Sequence, residues 1–233
     1  MSETDDDSEN NSDIKQTVCY GIIPYKCKFW DDSKDIGEDI LMKSKLIKIK
    51  IFSGEYKEHK TILGIEVTYR HLFTNKIKNI RHIIQSDYID VKEIETKPGE
   101  FITDFHIRFD NNCDFLYKLG FGTNLKNQIS IGYEEGENKK IETNGGQNFI
   151  IGTYGCFNER LTAIGFYYMK KTDFFKNMSY SYLMLRYLIK KDETFKEKWN
   201  KDYKQLPIEY QYIWKTIILP DSLLYSIFKY IIY

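Results

Sequence analysis

The sequence predicts an all-β domain followed by an α-helical C-terminal third, and three observations predict it. From Thr17 to about Met169 the chain is a succession of short runs rich in Ile, Tyr, Phe and Val with turn residues between them, the pattern of strands joined by tight connections. Within that stretch, Phe101-Ile102-Thr103-Asp104-Phe105-His106-Ile107-Arg108-Phe109 alternates with period two, which places Phe101, Thr103, Phe105, Ile107 and Phe109 on one face. After Met169 the period changes: Tyr180, Leu183, Met184, Tyr187 and Leu188 recur at three- and four-residue spacing, one face of a helix.

Taken in order, residues 1–13 are Ser, Asn, Asp and Glu with almost no apolar content, too little to offset the entropy of ordering, and are expected to form a disordered acidic tail. Leu46 to Phe52 alternates and Ile62 to Tyr69 follows after a polar turn placed at Ser53-Gly54, so the two runs read as paired strands. Ile77 to Ile84 and Tyr88 to Ile94 are shorter runs, and a Lys97-Pro98-Gly99 turn leads into the alternating strand from Phe101. Asp110-Asn111-Asn112 makes the next turn, Cys113 to Gly122 the next strand and Gln128 to Tyr133 another, before a polar segment from Glu134 to Gly146. Gln147 to Met169 closes the domain as two aromatic-rich strands around a polar tip, Asn158-Glu159-Arg160. About ten to twelve strands fit, the number of a barrel, sandwich or prism. Residues 14–170 therefore form the β domain, and residues 171–233 the helical extension.

With 233 residues, one main domain with an appendage fits, and a formal net charge of zero removes any global attraction to nucleic acid. The four cysteines, Cys19, Cys27, Cys113 and Cys156, lack CxxC spacing and read as free thiols, so no metal or other cofactor is expected. The N-terminus is acidic where a secretory signal is basic then apolar, and no run reaches the length of a membrane span. The expectation is a soluble, cytoplasmic protein without membrane insertion. No G-x-S-x-G, phosphate-binding glycine loop or H-E-x-x-H occurs, His59, His71, His82 and His106 are scattered, and the chain is not expected to be an enzyme. Asp31-Asp32 reads as an acidic turn.

Four segments, in order and spacing, carry a resemblance: Phe29-Trp30-Asp31-Asp32, the Ile62 to Tyr69 strand, Leu119-Gly120-Phe121-Gly122-Thr123-Asn124, and Leu161-Thr162-Ala163-Ile164-Gly165-Phe166-Tyr167. Together the stretch from Val18 to Met169 resembles a jacalin-like lectin domain, which implies a three-sheet β-prism of Greek-key units and a non-catalytic, sugar-binding role. The resemblance also implies a site at the closing hairpin, where a loop of pattern G-x-x-x-D holds sugar hydroxyls with its carboxylate and backbone N–H groups. Here the loop is Asn158-Glu159-Arg160-Leu161-Thr162, so the candidate ligand-binding residues are Asn158, Glu159, Arg160 and Thr162. Asn158 stands where the glycine is expected and Thr162 where the aspartate is, and a single hydroxyl cannot reproduce a bidentate carboxylate. The Gly-Gly stretch that such lectins place before the tryptophan is replaced by Pro24-Tyr25-Lys26-Cys27-Lys28. Tyr154, Phe157, Tyr167 and Tyr168 are candidates for a stacking platform, with core or sheet packing as the alternative.

At the other end, Leu219-Pro220-Asp221-Ser222-Leu223-Leu224-Tyr225-Ser226-Ile227-Phe228-Lys229-Tyr230-Ile231 is similar to the opening of an F-box. That similarity implies a helix docking a protein partner through Leu219, Pro220, Leu223, Leu224, Ile227, Phe228 and Ile231. The functional expectation is a lectin-like module with a degenerate sugar site. The alternative is a structural or adaptor protein whose C-terminal helices bind another protein.

Overall fold

The computed structural model describes residues 14–174, apart from residues 73, 84–89, 98, 111–114, 135 and 143–146. The chain runs through β1 (Ile14–Gln16), β2 (Tyr20–Gly21), β3 (Lys28–Asp31), two short helices α1 (Asp32–Ile36) and α2 (Glu38–Met42), β4 (Ser44–Tyr56), β5 (His59–His71) and β6 (Ile77–His82). It continues through β7 (Asp90–Glu95), β8 (Ile102–Phe109), β9 (Leu116–Thr123), β10 (Gln128–Gly132), β11 (Glu137–Glu142), β12 (Asn148–Phe157) and β13 (Leu161–Lys170).

These strands form three antiparallel sheets, ordered β1-β13-β12-β3 with β2 also on β13, β6-β5-β4-β7, and β10-β9-β8-β11. Each sheet turns one face inward, and the three faces meet in a common core: Ile49, Ile51, Ile65 and Val67 from one sheet, Phe105, Ile107, Leu119 and Phe121 from the next, Ile164 and Phe166 from the last. Phe166 is the join, its ring 4.0 Å from that of Phe105 and edge-on to Phe121 at 5.7 Å. The architecture is the three-sheet β-prism that the sequence led us to expect.

Four local features differ from the sequence-based expectation. Ser53 and Gly54 are not a turn; they lie buried inside β4, which passes them with a register shift at Phe52/Ser53 and ends at Tyr56. The turn is Lys57-Glu58, two residues with φ of +48° and +65° between the paired Tyr56 and His59, the twist that suits a tight hairpin. The polar segment from Glu134 contains β11, which pairs with β8 from Glu137↔Phe109 to Glu142↔Asp104; as an edge strand of mostly charged residues it carries no apolar signal to read. The two helices are five residues each, too short for a helical period to register. In β8 the burial alternates as predicted from Phe105 to Phe109, while a register shift between Ile102 and Asp104 places Ile102 inside along with Thr103.

After β13, residues 171–174 are helical and Phe174 packs edge-on against Phe149 at 4.8 Å, so the chain leaves the prism with an apolar anchor. The acidic tail, the helix beginning near Tyr180 and the segment Leu219 to Ile231 lie outside the described residues. Among the described residues no helix is long and apolar enough to cross a membrane.

Candidate functional site

The β12–β13 hairpin brings the four candidate ligand residues together but turns them in different directions. The Asn158 N–H donates to the Arg160 carbonyl at 3.0 Å and closes the loop. Asn158 is not among the residues with positive φ, so the loop does not require the glycine expected at that position. Glu159 is exposed, and Asn158 and Arg160 are half-buried. Cys156 pairs with Ala163 and Phe157 with Leu161, which leaves Thr162 as the extra residue of a bulge. Its hydroxyl donates to the Cys156 carbonyl at 3.0 Å and lies 3.1 Å from the Cys156 sulfur, and the residue is only 3% exposed. Thr162 therefore faces into the protein.

What covers Thr162 is the N-terminal segment from Thr17 to Cys27, laid along β13 like a strap. Thr17 N–H donates to the Phe166 carbonyl, β2 pairs with Ala163 and Ile164, and the Ile22 N–H donates to the Thr162 carbonyl at 3.1 Å. Gly21, at φ +109°, allows this contact, since a Cβ there would stand 2.2 Å from the Thr162 carbonyl oxygen. The strap then crosses to β3, and Pro24 to Lys28 occupy the place where the open glycine stretch was expected. Tyr25, Lys26 and Lys28 are exposed, as is Phe29 on the edge strand.

Arg160 is engaged sideways. Its guanidinium carbon lies 4.7 Å from the ring centre of Tyr56 and 4.5 Å from that of Phe115, a cation held over two aromatic faces. Tyr56 ends β4 beside the Lys57-Glu58 turn, and Phe115 precedes β9, its ring also 4.5 Å from His59. Arg160 thus pins the closing loop to the tips of the other two sheets' hairpins, and Glu159 remains the exposed side chain of the loop. Sequence spacing gives no sign of this, because the three residues come from three separate hairpins.

The aromatic residues below the tip serve the sheet. The Tyr154 hydroxyl donates to the Thr17 carbonyl, the Tyr167 hydroxyl donates to Asp31 Oδ1 at 3.0 Å, and the two rings are 5.1 Å apart. Burial, reinforced by the Asp31 charge, pushes the Tyr167 hydroxyl up to about 12, so it remains a donor. Phe157 packs near Trp30 at 5.8 Å, and Tyr168 sits opposite Lys15.

Asp31 and Asp32 are not solvated turn residues. Asp31 caps α1, its Oδ1 accepting from the Ser33 N–H at 3.0 Å and hydroxyl at 2.7 Å. Burial works against its ionisation, but the bonds from Ser33, Tyr167 and Lys34 outweigh it and hold the carboxyl below its ordinary value. Asp32 is completely buried and receives four hydrogens: the Tyr69 hydroxyl, the Thr153 N–H at 2.9 Å, the Thr153 hydroxyl at 2.7 Å and His82 Nε2 at 3.1 Å. Trp30 completes the cluster, its indole N–H donating to the Thr153 hydroxyl at 3.1 Å and its ring stacked on His82 at 4.6 Å. The tryptophan–aspartate motif ties the sheet of β12 to the sheet of β5 and β6. The Asp–His pair is buried among the described residues, Asp32 completely and His82 to within 3%. Among the described residues no group of three or more His, Cys, Asp and Glu side chains is arranged to hold a metal ion.

With this geometry in place, the sequence profile of the jacalin-like lectin domain matches residues 26–167, from the strap to β13. The chain belongs to the jacalin-like lectin domain family. Jacalin-related lectin 44 of Arabidopsis thaliana is 27% identical over 148 residues, which cover 62% of this chain and 22% of that protein, so the chain spans about a fifth of the length of this curated relative. Among solved structures, AcmJRL, a mannose-binding jacalin-related lectin from Ananas comosus, superposes with a TM-score of 0.53 at 19% identity over 68% of this chain and 99% of that one. Artocarpin complexed with Me-alpha-mannose gives 0.52 at 21% identity, again over 68% and 99%. At these identities the likeness is one of fold. The jacalin-like match takes in β3 to β13, begins after β1 and β2, and ends at Tyr167, before the helical turn that carries Phe174.

Proposed function

We propose that the chain is a non-catalytic glycan-binding module that contacts sugar through the β12–β13 tip, with Asn158, Glu159 and the loop backbone as the contacting groups, Arg160 holding the loop in place, and Thr162, buried, bracing the hairpin through its bond to the Cys156 carbonyl. The observation that supports this reading is the family match, which runs over residues 26–167, most of the prism, and includes the closing hairpin. Membership of a fold family does not by itself fix a ligand, so the tip must supply the chemistry. A loop without a fixed carboxylate at the signature position bonds sugar hydroxyls less strongly than one that has it. Each charge-assisted bond lost weakens binding by about 1.5–3 kcal/mol, roughly ten- to a hundred-fold.

A glycan array probed with the full chain at high micromolar concentration tests the reading. Binding to at least one glycan class, lost on replacing Asn158 and Glu159 by alanine, is the expected result. Absence of binding to every glycan, with the protein shown to be folded, would overturn it.

A further inference from the structure

The exposed aromatic surface of the protein is gathered at one place. Among the described residues, Tyr25 and Phe29 are the aromatic side chains that stand in solvent, Tyr25 completely and Phe29 at 67%, and Ile23 close by is 52% exposed. Apolar side chains exposed singly need no explanation, but three within one short segment beside a candidate site do.

Topology puts this segment at the β12–β13 tip. β2 lies against β13 and β3 against β12, so the chain between Gly21 and Lys28 passes from one flank of the hairpin to the other, three strand spacings or about 14 Å. Both ends of the crossing are pinned close to the loop: the Ile22 N–H donates to the Thr162 carbonyl at 3.1 Å, and Lys28 pairs with Phe157, the residue before Asn158. The Cys156 sulfur lies 3.8 Å from the Ile22 carbonyl, so the crossing runs over the face of β12 that carries Cys156. Phe29 pairs with Cys156 and shares that outer face, while Trp30, next along β3, turns into the core. One strand across and two residues along separate the backbone of Phe29 from that of Asn158, about 8 Å. Tyr25 stands at the middle of the crossing.

We infer that Tyr25 and Phe29 form a stacking subsite beside the tip, and that the ligand is an oligosaccharide of at least two pyranose rings. This subsite rests on the reading of the tip as the place of sugar contact, to which it adds residues and a ligand size. One ring is bonded through its hydroxyls at Asn158 and Glu159, and the next lies with its C–H face on the aromatic rings. A pyranose carries C–H groups on its faces and hydroxyls around its rim, which suits an aromatic ring bordered by donors. Lys26 and Lys28, both exposed, supply ammonium donors to that rim. Tyr25 has little freedom to lose on binding: Pro24 fixes the backbone just before it, the crossing is held at both ends, and a tyrosine has only two side-chain torsions. The bulky segment that replaces the open glycine stretch thus offers contact area where the tip lacks a fixed carboxylate.

The isotopically labelled full chain is titrated with the methyl glycosides of mannose, glucose, galactose and N-acetylglucosamine, and with a disaccharide and a trisaccharide of each, and its amide shifts are followed. At least one oligosaccharide is expected to bind about tenfold more tightly than its methyl glycoside, moving the amides of Tyr25, Lys26 and Phe29 together with those of Asn158 to Arg160. In Tyr25→Ala and Phe29→Ala that advantage falls toward none, and Tyr25→Phe, which keeps the ring, retains it. Both side chains are exposed, so the variants are expected to fold, as the dispersion of their amide spectra checks. Shifts confined to Asn158 to Arg160, with oligosaccharide and methyl glycoside equally tight, overturn the stacking subsite and leave the tip as the sugar site. Absence of shifts at the tip with every sugar overturns the tip and the subsite with it. Sedimentation of wild type and Tyr25→Ala covers the other occupant, a second copy of the chain: a dimer that dissociates in the variant while the oligosaccharide advantage is unchanged also overturns the subsite.

Discussion

Replacing Asp32 by alanine tests whether the buried carboxylate holds two sheets together. The substitution leaves four donors facing a small void: the Tyr69 hydroxyl, the Thr153 N–H, the Thr153 hydroxyl and His82 Nε2. The Thr153 N–H belongs to the backbone of β12 and cannot turn away, and Tyr69 is buried in the core. Each donor left without a partner costs about 1–3 kcal/mol, and with two of the four unable to relax the expected loss is about 3–5 kcal/mol. Domains of this kind are stable by about 5–15 kcal/mol in total, so the variant stands near the limit of folding. In a urea titration followed by tryptophan fluorescence, with a slope of about 2 kcal/mol per molar, the midpoint falls by about 2 M. Tyr69→Phe is the milder companion: the carboxylate keeps three donors, and the loss is about 1 kcal/mol. An Asp32→Ala midpoint within 0.5 M of wild type at unchanged slope, on the same scale, would refute the reasoning.

Three further outcomes follow from particular contacts. Thr162→Asp restores the family's carboxylate on paper, but the position lies beneath the strap against Cys156; it is expected to destabilise by about 2–5 kcal/mol, measured by urea unfolding, instead of strengthening sugar binding. Glu58→Gly relieves a residue held at φ +65° and is expected to raise stability by about 0.5–1 kcal/mol in thermal unfolding. Burial, opposed by Glu100 and reinforced by Arg70, pushes the Lys45 ammonium down to about 8. Between that value and the unfolded one the unfolded chain holds a proton that the folded chain has released, so this group's penalty applies below pH 8 and is relieved as pH rises. Lys45→Met is therefore expected to be more stable than wild type by about 1–3 kcal/mol at pH 7, with the difference shrinking by pH 10. Taking the difference at each pH cancels the alkaline loss shared by both proteins, since Cys19, Cys156 and Tyr167, all raised, withdraw stability as pH climbs above about 9.

The fold was readable because burial on one face imposes period two on the sequence. The strand from Phe101 to Phe109 and the hairpin from Gln147 to Met169 announce themselves in this way, and the four matched segments supply their order. β11 was not readable, because an edge strand of charged residues has no apolar face, and the turn at Lys57-Glu58 was hidden because neither residue is a typical choice for positive φ. At the site, sequence placed Asn158, Glu159, Arg160 and Thr162 in one loop; the structure keeps the first three at the tip and puts Thr162 in a bulge of β13. Their directions depend on long-range neighbours: a bulge turns Thr162 inward, two rings from other hairpins capture Arg160, and a strap some 140 residues away along the chain covers the signature position. Asp32 shows the same limit, since an acidic pair after a tryptophan reads as a turn until Tyr69, His82 and Thr153 are seen around it.

The central claim is that the β12–β13 tip is where this prism meets a sugar. Amide chemical shifts recorded while the isotopically labelled full chain is titrated with methyl α-mannoside test it most directly. Saturable shifts are expected at Asn158, Glu159 and Arg160, with smaller ones at Tyr56 and Phe115 through the Arg160 contact. Shifts that saturate elsewhere on the prism, with the amides of Asn158 to Arg160 unmoved, would contradict it.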